Sequence, residues 1–335
     1  LHGSASNKLA YAYNIRNWIE SISSGGLFNI SLYYGYNGNV SRMVCRCPGD
    51  NKTYGYNFAY DNLSRLTSAQ SLIGGVITLG YATNYSYDKN GNLLHLRRGG
   101  QTGLSGTGII DNLSFTLNGN QLKSVNDDAT ATASNGFEFK DGAKLATEYM
   151  YDANGSLIKD LNKGIEIQYN LLNLPSQVKF SDGSTITYTY GADGVKLRTV
   201  HKIGGVTTTT DYCDNVIYEN GTAKQLLTEE GYVSLSDKKY HYYLKDHQGN
   251  NRVVTDQAGG MEEANYYYPF GGVFLSNGND VQAYKYNGKE LDTKKGLNWY
   301  DYGAREYDAV LGRFTTMDPS SESYYSTSPY AYCGN

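Results

Sequence analysis

One short phrase recurs along this chain, and its repetition limits what the chain can fold into. Residues 85–96 read YSYDKNGNLLHL. The two tyrosines alternate with small or polar residues, which is the side-chain period of a β-strand. The Asn90-Gly91 pair that follows predicts a type I′ hairpin turn, because that turn needs positive φ at both central residues. Leucines then begin a returning strand, so the phrase predicts a β-hairpin.

Variants of this phrase occupy much of the chain before about residue 210. They cover residues 32–43, 58–69, 85–96, 113–125, 148–160, 167–180 and 188–200. Aligned on the second aromatic residue or its substitute, they begin at Tyr36, Tyr60, Tyr87, Leu117, Tyr151, Tyr169 and Tyr190. A single hairpin is marginal in water, and a regular repeat with variable insertions is typical of repeat architectures. We therefore expect hairpins paired edge to edge in a ribbon that curves because sheets twist.

The composition also favours an all-β fold. The 335 residues include 34 Tyr and 39 Gly but only 5 Pro. Tyrosine favours strands and glycine favours turns. Only residues 8–20 form a modest helix candidate, so we predict an all-β chain built of many short antiparallel strands.

Charge and hydropathy exclude two classes of partner. The formal net charge is −4, and no stretch is basic enough to predict a nucleic-acid interface. No apolar run approaches the roughly 18–20 residues that a membrane-spanning helix needs. The N-terminus carries neither a start methionine nor a signal peptide, and the chain stops at YAYCGN. We interpret the chain as a fragment of a longer polypeptide.

The sequence predicts no metal site and no cofactor. Cys45 and Cys47 form a C-x-C pair without a matching second pair, which argues against structural zinc. We expect these two thiols at adjacent outward and inward strand positions, where a disulfide between them would be awkward. Residues 88–92, Asp-Lys-Asn-Gly-Asn, superficially resemble a calcium loop, but Gly91 is fourth rather than sixth in it.

The pattern changes after about residue 211. Distinct motifs follow in order: YHYYLKDHQGNNRVVTD at 240–256, NYYYPFGGVF at 265–274, YKYNGKELDTKKGLNWYDYGAREYDAVLGRF at 284–314 and MDPSSESYYSTSPYAYCGN at 317–335. Their order and spacing resemble the RHS repeat-associated core of the Rhs/YD-repeat family. The upstream tyrosine-marked hairpins resemble the YD repeats of the same family, so the resemblance covers essentially the whole chain.

The resemblance implies a fold and a function. Residues 1–210 would be YD repeats that form part of a spiral, curved β-sheet, a partial β-shell. Residues 211–335 would be the core, truncated at its C-terminal end. The chain would be the scaffold of an Rhs-type polymorphic toxin that encapsulates or presents a variable C-terminal toxin lying outside this chain. That toxin is the expected partner, together with secretion-apparatus or immunity proteins, and the expected location is secreted or on the cell surface.

The same resemblance identifies Asp318 as the candidate catalytic residue. Asp318-Pro319 matches the Asp-Pro motif at which family cores carry a protease aspartate that helps to cut the chain between shell and toxin. Such chemistry needs two carboxyl groups that share one proton, with Asp308 and Asp292 as candidate partners. Because the second family motif is absent from this chain, we expect no enzymatic activity from the chain itself. Asp-Pro alone also simply begins a turn.

Other candidate sites have simpler structural explanations. His241 and His247 lie near Asp246, where Asp-His-Gln-Gly predicts a turn rather than acid–base chemistry. The tyrosine run 266–268 could stack on sugars, although burial is the expectation. Two alternatives to the scaffold therefore stay open: a carbohydrate- or cell-surface-binding β-repeat module, and a self-cleaving aspartyl-protease core. Tyrosines packed along the sheet favour the scaffold, and outward aromatic clusters favour binding.

Overall fold

A computed structural model describes residues 7–49, 52–103 and 106–334. The fold is all-β, as predicted, and its strands pair antiparallel with their neighbours in sequence. Over the described residues, no helix is both long and apolar enough to cross a bilayer. The hairpin signals in the sequence therefore translate directly into a meander.

Ten strands form the first sheet, in sequence order. They are β1 (Ala10–Tyr13), β2 (Ile19–Ser24), β3 (Phe28–Tyr34), β4 (Val40–Arg46), β5 (Tyr54–Tyr60), β6 (Leu66–Ile73), β7 (Val76–Tyr87), β8 (Leu93–Thr102), β9 (Gly106–Asn118) and β10 (Gln121–Asp127). Residues 8–20 contain β1, a turn and the beginning of β2, so the helix candidate there is wrong. Those residues join the hairpin ribbon because the edge of β3 offers β2 a partner strand.

Fourteen strands form the second sheet, again in sequence order. They are β11 (Tyr149–Tyr151), β12 (Leu157–Asp160), β13 (Ile165–Tyr169), β14 (Pro175–Phe180), β15 (Thr185–Tyr190), β16 (Lys196–Ile203), β17 (Val206–Cys213), β18 (Val216–Glu219), β19 (Thr222–Thr228), β20 (Gly231–Ser234), β21 (Tyr240–Lys245), β22 (Asn251–Asp256), β23 (Met261–Tyr267) and β24 (Val273–Gly278). Strand β17 spans the domain boundary predicted near residue 210, and the sheet continues through it.

A small third sheet follows, within what we call the closing segment, residues 284–332. Its strands are β25 (Glu290–Asp292), β26 (Trp299–Asp301), β27 (Glu306–Asp308) and β28 (Arg313–Phe314). Three short 3₁₀ helices flank them at Tyr286–Gly288, Lys294–Gly296 and Ser321–Ser323. The closing segment contains the third of the four distinct motifs and most of the fourth, whereas the first two, at 240–256 and 265–274, lie in the second sheet.

The link between the two large sheets, residues 128–148, keeps them side by side. The backbone N–H of Glu148, just before β11, donates to the carbonyl of Lys123 on β10. The Glu148 carboxylate accepts from the N–H of Val125 at 2.9 Å. Because Glu148 joins the end of one sheet to the start of the next, the ribbon continues across the break in strand pairing.

One face of the ribbon is buried. In β3, Phe28, Ile30 and Leu32 are buried, while Asn29 and Tyr33, which point to the other face, are exposed. Buried side chains from both large sheets and from the closing segment belong to a single apolar cluster. The alternation predicted from the sequence therefore places one face of the ribbon against the closing segment.

The ribbon also curls back toward its beginning. Asn7, just before β1, accepts from the hydroxyl of Thr255 at 2.7 Å and donates to the carbonyl of Asp256 at 3.3 Å. These partners lie at the end of β22, far along the second sheet. The large sheets stay open, and the predicted curved antiparallel sheet is confirmed.

The C-x-C thiols are not arranged as predicted. Cys45 and Cys47 are both buried on the same face, with their sulfur atoms 3.3 Å apart. The prediction of adjacent outward and inward positions is wrong, because residues i and i+2 of a strand share a face. Both thiols are free, as expected.

Candidate functional site

The aspartate of the repeated phrase builds the hairpin turn. Asp88 accepts at its side chain from the backbone N–H groups of Asn90, at 2.9 Å, and Asn92, at 2.8 Å. Gly91 has a φ of 82°, whereas Asn90 keeps a negative φ. The predicted type I′ turn is therefore wrong. A longer turn closes with a single left-handed glycine and a bulge beside Tyr87, since the carboxylate holds both amides.

The same device serves in most copies of the hairpin. In each, one oxygen of an Asp or Asn side chain accepts from the amides two and four residues later. The residues that do so are Asn14, Asp61, Asp88, Asp152, Asn170, Asp246 and Asp256. The second residue of the Tyr-Asp phrase thus has a structural role in closing the turn.

In four hairpins, the tyrosine just before the turn ties the hairpin to the one before it. The hydroxyl of Tyr60 donates to the carbonyl of Val40 at 2.8 Å, and that of Tyr87 donates to the carbonyl of Leu66 at 2.7 Å. Both carbonyls lie at the start of the preceding returning strand. Tyr34 and Tyr169 make the matching bonds to Ile19 and Leu157. Burial raises the pKa of Tyr60 to about 12, so the hydroxyl remains a donor at physiological pH.

This series of tyrosine bonds, the tyrosine ladder, corrects the alignment of the first copy, residues 32–43. Tyr34, rather than Tyr36, holds the equivalent position, because Tyr34 makes the tie to the preceding hairpin. Tyr36 lies in the turn and is 97% exposed. The double aromatic pattern of YYGYNGN made both registers fit the sequence.

The closing segment binds both large sheets. On the first sheet, Arg98 of β8 donates to the carbonyl of Val310 at 3.0 Å. On the second, the N–H of Leu157 in β12 donates to the carbonyl of Thr315 at 3.0 Å. The run Tyr266, Tyr267 and Tyr268 is fully buried against this part of the molecule, so the expectation of burial is confirmed.

Two buried ion pairs anchor these contacts. Arg98 Nε donates to Asp111 Oδ2 at 2.6 Å, and Arg252 Nε donates to Asp246 Oδ2 at 2.7 Å. Burial alone would raise the pKa of Asp246, but the nearby Arg252 and His247 hold it below its ordinary value. A buried pair of this kind depends on both partners, since either charge alone is costly in the interior.

Asp318 lies at the far end of the closing segment. Its carboxylate accepts from Arg305 Nη2 at 2.7 Å and from the N–H of Ser320 at 2.8 Å. It lines an open cavity of about 400 Å³, together with Tyr324 and Cys333. The bond from Ser320 is the turn chemistry expected of Asp-Pro, and a catalytic role for Asp318 stays a prediction.

The two candidate partner carboxylates are engaged elsewhere. Asp308 is buried and accepts from Trp299 Nε1 at 3.2 Å, and it pairs with Lys163, also at 3.2 Å. Asp292 hydrogen-bonds His201 Nε2 at 2.8 Å. Among the described residues, the hydrogen-bond partners of Asp318 are a guanidinium and an amide, so no proton-sharing carboxyl pair forms around it.

The histidines near residue 246 have structural partners. His241 Nδ1 lies 2.5 Å from Glu262 and its ring stacks on Tyr232. His247 lies in the Asp246 turn, and burial lowers its pKa. Throughout the part of the chain that the structure describes, no three His, Cys, Asp or Glu side chains cluster as metal ligands would.

No family model matches the sequence. Over 225 residues, 58% of this chain, the sequence is 32% identical to Salivary gland surface protein 1 of Aedes aegypti. Over 287 residues, 79% of this chain, it is 26% identical to Teneurin-3 of Mus musculus. The matches cover only 6% and 10% of those two proteins, so the chain corresponds to a small part of each.

Solved structures with the same fold are components of a toxin complex. The chain superposes on the crystal structure of TcdB2-TccC3-Cdc42 with a TM-score of 0.62 at 17% identity, covering 97% of this chain and 19% of that one. It superposes on the Photorhabdus luminescens Tc holotoxin pore with a TM-score of 0.61 at 17% identity, covering 98% of this chain and 18% of that one. The chain therefore shares its fold with about a fifth of those proteins.

Proposed function

We propose that this chain is part of the wall and the closing segment of a Rhs/YD-repeat scaffold, which encapsulates or presents a toxin domain located elsewhere in a longer polypeptide. The wall is the ribbon of tied hairpins, and the closing segment packs against its buried face. In this proposal the chain acts by containment, without an enzymatic step of its own.

One observation carries the proposal: the hydroxyls of the repeat tyrosines form hydrogen bonds inside the sheet and are not free to bind a ligand. Tyr60, Tyr87 and Tyr169 direct their hydroxyls to the preceding hairpin. A binding module with aromatic subsites would instead need such rings free on an accessible concave surface. Because each tyrosine of the ladder bonds only to the preceding hairpin, the arrangement can repeat without a limit on the number of hairpins, as a long wall requires.

Three further observations support the proposal. The fold matches TcdB2-TccC3 complexes over nearly the whole chain. Both curated relatives are at least ten times longer than the segment matched here, which suits a repeat unit inside a large polypeptide. The closing segment contacts both sheets, as a plug in a shell would. Secretion or cell-surface display, and secretion or immunity proteins as partners, remain parts of the proposal.

The experiment uses the polypeptide that contains this chain and continues beyond Asn335. The native protein is treated with a non-specific protease, and the segment that follows the closing segment is detected by an epitope tag. We expect the tagged segment to survive while the same segment expressed alone is digested. Digestion at equal rates would contradict containment.

A surface-binding function is the second candidate. The name of the Aedes aegypti relative, a surface protein, favours it, and Tyr33 and Tyr36 are exposed near one turn. Glycan-array binding by the chain, lost in Tyr36→Ala, would support this function. Unchanged array signals in that variant would leave the exposed tyrosines without a binding role.

A further inference from the structure

A polar cavity lies where the closing segment meets the second sheet. Its volume is about 320 Å³, and residues of β15 to β19 form one wall while β25 to β27 form the other. Exposed Asp280 and Lys294 lie at its rim, so solvent reaches it. Neither the hairpin ladder nor the proposed scaffold explains why charged groups gather there.

Four carboxyl groups of the closing segment face this cavity. They are Glu290, Asp292, Asp301 and Glu306. Lys196 Nζ lies 2.8 Å from Glu290 and 2.5 Å from Asp301, and it neutralises one charge. His201 bonds Asp292. The four carboxyl groups therefore outnumber the two basic groups, Lys196 and His201, that contact them.

Glu306 is the member of this group that lacks a partner. The residue is 7% exposed, and no hydrogen bond or ion pair from another described residue reaches its carboxyl. Burial raises the pKa of Glu306 well above its ordinary value, and the charges of Asp301 and Asp292 raise it further. A buried carboxyl that has no donor from the protein needs one from the cavity, either a water molecule or a ligand.

Aromatic rings complete the site. Tyr188, Tyr212 and Trp299 line the same cavity, and the ammonium of Lys196 already lies 4.7 Å from the centre of the Tyr212 ring. Aromatic faces attract cations, and a cavity with excess carboxyl groups attracts them further. Of the other lysines that line the cavity, Lys224 and Lys285 are paired with carboxylates, and Lys294 is exposed at the rim.

We propose that this cavity binds an organic cation, an ammonium or guanidinium group that donates to Glu306 and packs against the aromatic wall. The group could come from a free polyamine or from a basic side chain of a peptide, because both present the same chemistry. The inference does not depend on the scaffold function. Because burial raises the pKa of Glu306, a bound cation shifts Glu306 toward its ionised form, so binding releases a proton and strengthens as pH rises.

The test is titration calorimetry on the whole chain with spermidine as the probe, repeated in two buffers of different ionisation enthalpy. We expect saturable binding with proton release, at least tenfold weaker binding in Glu306→Gln, and loss of the proton release in that variant. Glu166→Gln is the matched control, because Glu166 is exposed on β13 and pairs only with Lys159. Thermal unfolding checks that each variant is folded.

Further arms make the result decisive. Asp292→Asn, at a less buried position, should weaken spermidine binding as well. This variant therefore tests the site even if Glu306→Gln does not fold. A tri-lysine peptide that binds as tightly as spermidine identifies a peptide side chain as the source, and binding of spermidine alone identifies a free polyamine. Absence of spermidine binding at millimolar concentration, or equal binding by Glu306→Gln and the wild type, would overturn the proposal.

Discussion

Replacing Arg98 by methionine should weaken the joint among three parts of the molecule. The Arg98 side chain on β8 is 2% exposed, and its partner Asp111 on β9 is fully buried. The same guanidinium holds the carbonyl of Val310 in the closing segment. The other oxygen of Asp111 accepts from the N–H of Phe139 in the link between the sheets at 2.6 Å. One residue pair thus ties the first sheet, the link and the closing segment.

The magnitude follows from what Arg98→Met leaves behind. The Asp111 carboxylate would stay buried with only the Phe139 amide as donor, and removing one partner of a buried pair costs about 3–5 kcal/mol. Methionine retains much of the apolar packing, so most of this loss is electrostatic. Adding Asp111→Asn should recover at least about 1 kcal/mol, because the buried charge is gone while the acceptor for Phe139 remains.

Urea unfolding monitored by tryptophan fluorescence measures this loss, since Trp299 is buried in the closing segment. Lys224→Met is the control: its partner Glu219 lies at 2.7 Å, but both side chains are about half exposed. We expect that control to change the free energy of unfolding by less than about 1 kcal/mol. A loss in Arg98→Met no larger than in the control would refute the reasoning.

Three further predictions address other parts of the structure. Burial raises the pKa of Asp160 from 3.8 to about 6, so protonation of Asp160 stabilises the fold at low pH and this stabilisation is lost as pH rises through 6. In urea unfolding, the free energy of unfolding of the wild type should rise by about 1 kcal/mol relative to that of Asp160→Asn between pH 7 and pH 5, and a difference that stays constant with pH would contradict this. Asp88→Ala should lower the free energy of unfolding by about 1–2 kcal/mol and Asp88→Asn by less, because the side-chain oxygen of Asn170 accepts the same two amide bonds in another hairpin. Equal losses for the two variants in urea unfolding would show that the side-chain oxygen does not stabilise the turn. In a polypeptide that continues past Asn335, Asp318→Asn should abolish any cut after the closing segment, as judged by gel electrophoresis, and an unchanged cut would leave Asp318 with only its turn and its bond to Arg305.

The repeated phrase predicted the strand order because each hairpin is local in sequence. Alternation told which face of a strand such as β3 is buried, and the turn residues located each reversal. The prediction of a type I′ turn at Asn90-Gly91 was wrong because it relied on the Asn-Gly pair alone. It left out the carboxylate of Asp88, which stabilises a longer turn. A regular aspartate five residues before the first residue of the returning strand is the signal that would have corrected it.

The candidate sites were harder to predict because their contacts join residues far apart in the chain. Asp292 and Asp308 were weighed as partners of Asp318 from the order of motifs alone, yet folding brings them to His201 and Lys163 on the second sheet. The cavity around Glu306 escaped prediction for the same reason: its opposite wall is formed by strands about a hundred residues earlier. No local pattern encodes such a pairing of surfaces.

The central claim is that this chain is a section of a closed wall with a segment packed inside it. Electron cryo-microscopy of the longer polypeptide tests the claim most directly. Our account predicts a continuous sheet around an enclosed chamber, with the tyrosine ladder running along the wall and the closing segment across one end. An open sheet with no chamber, or the closing segment detached from β8 and β12, would contradict it.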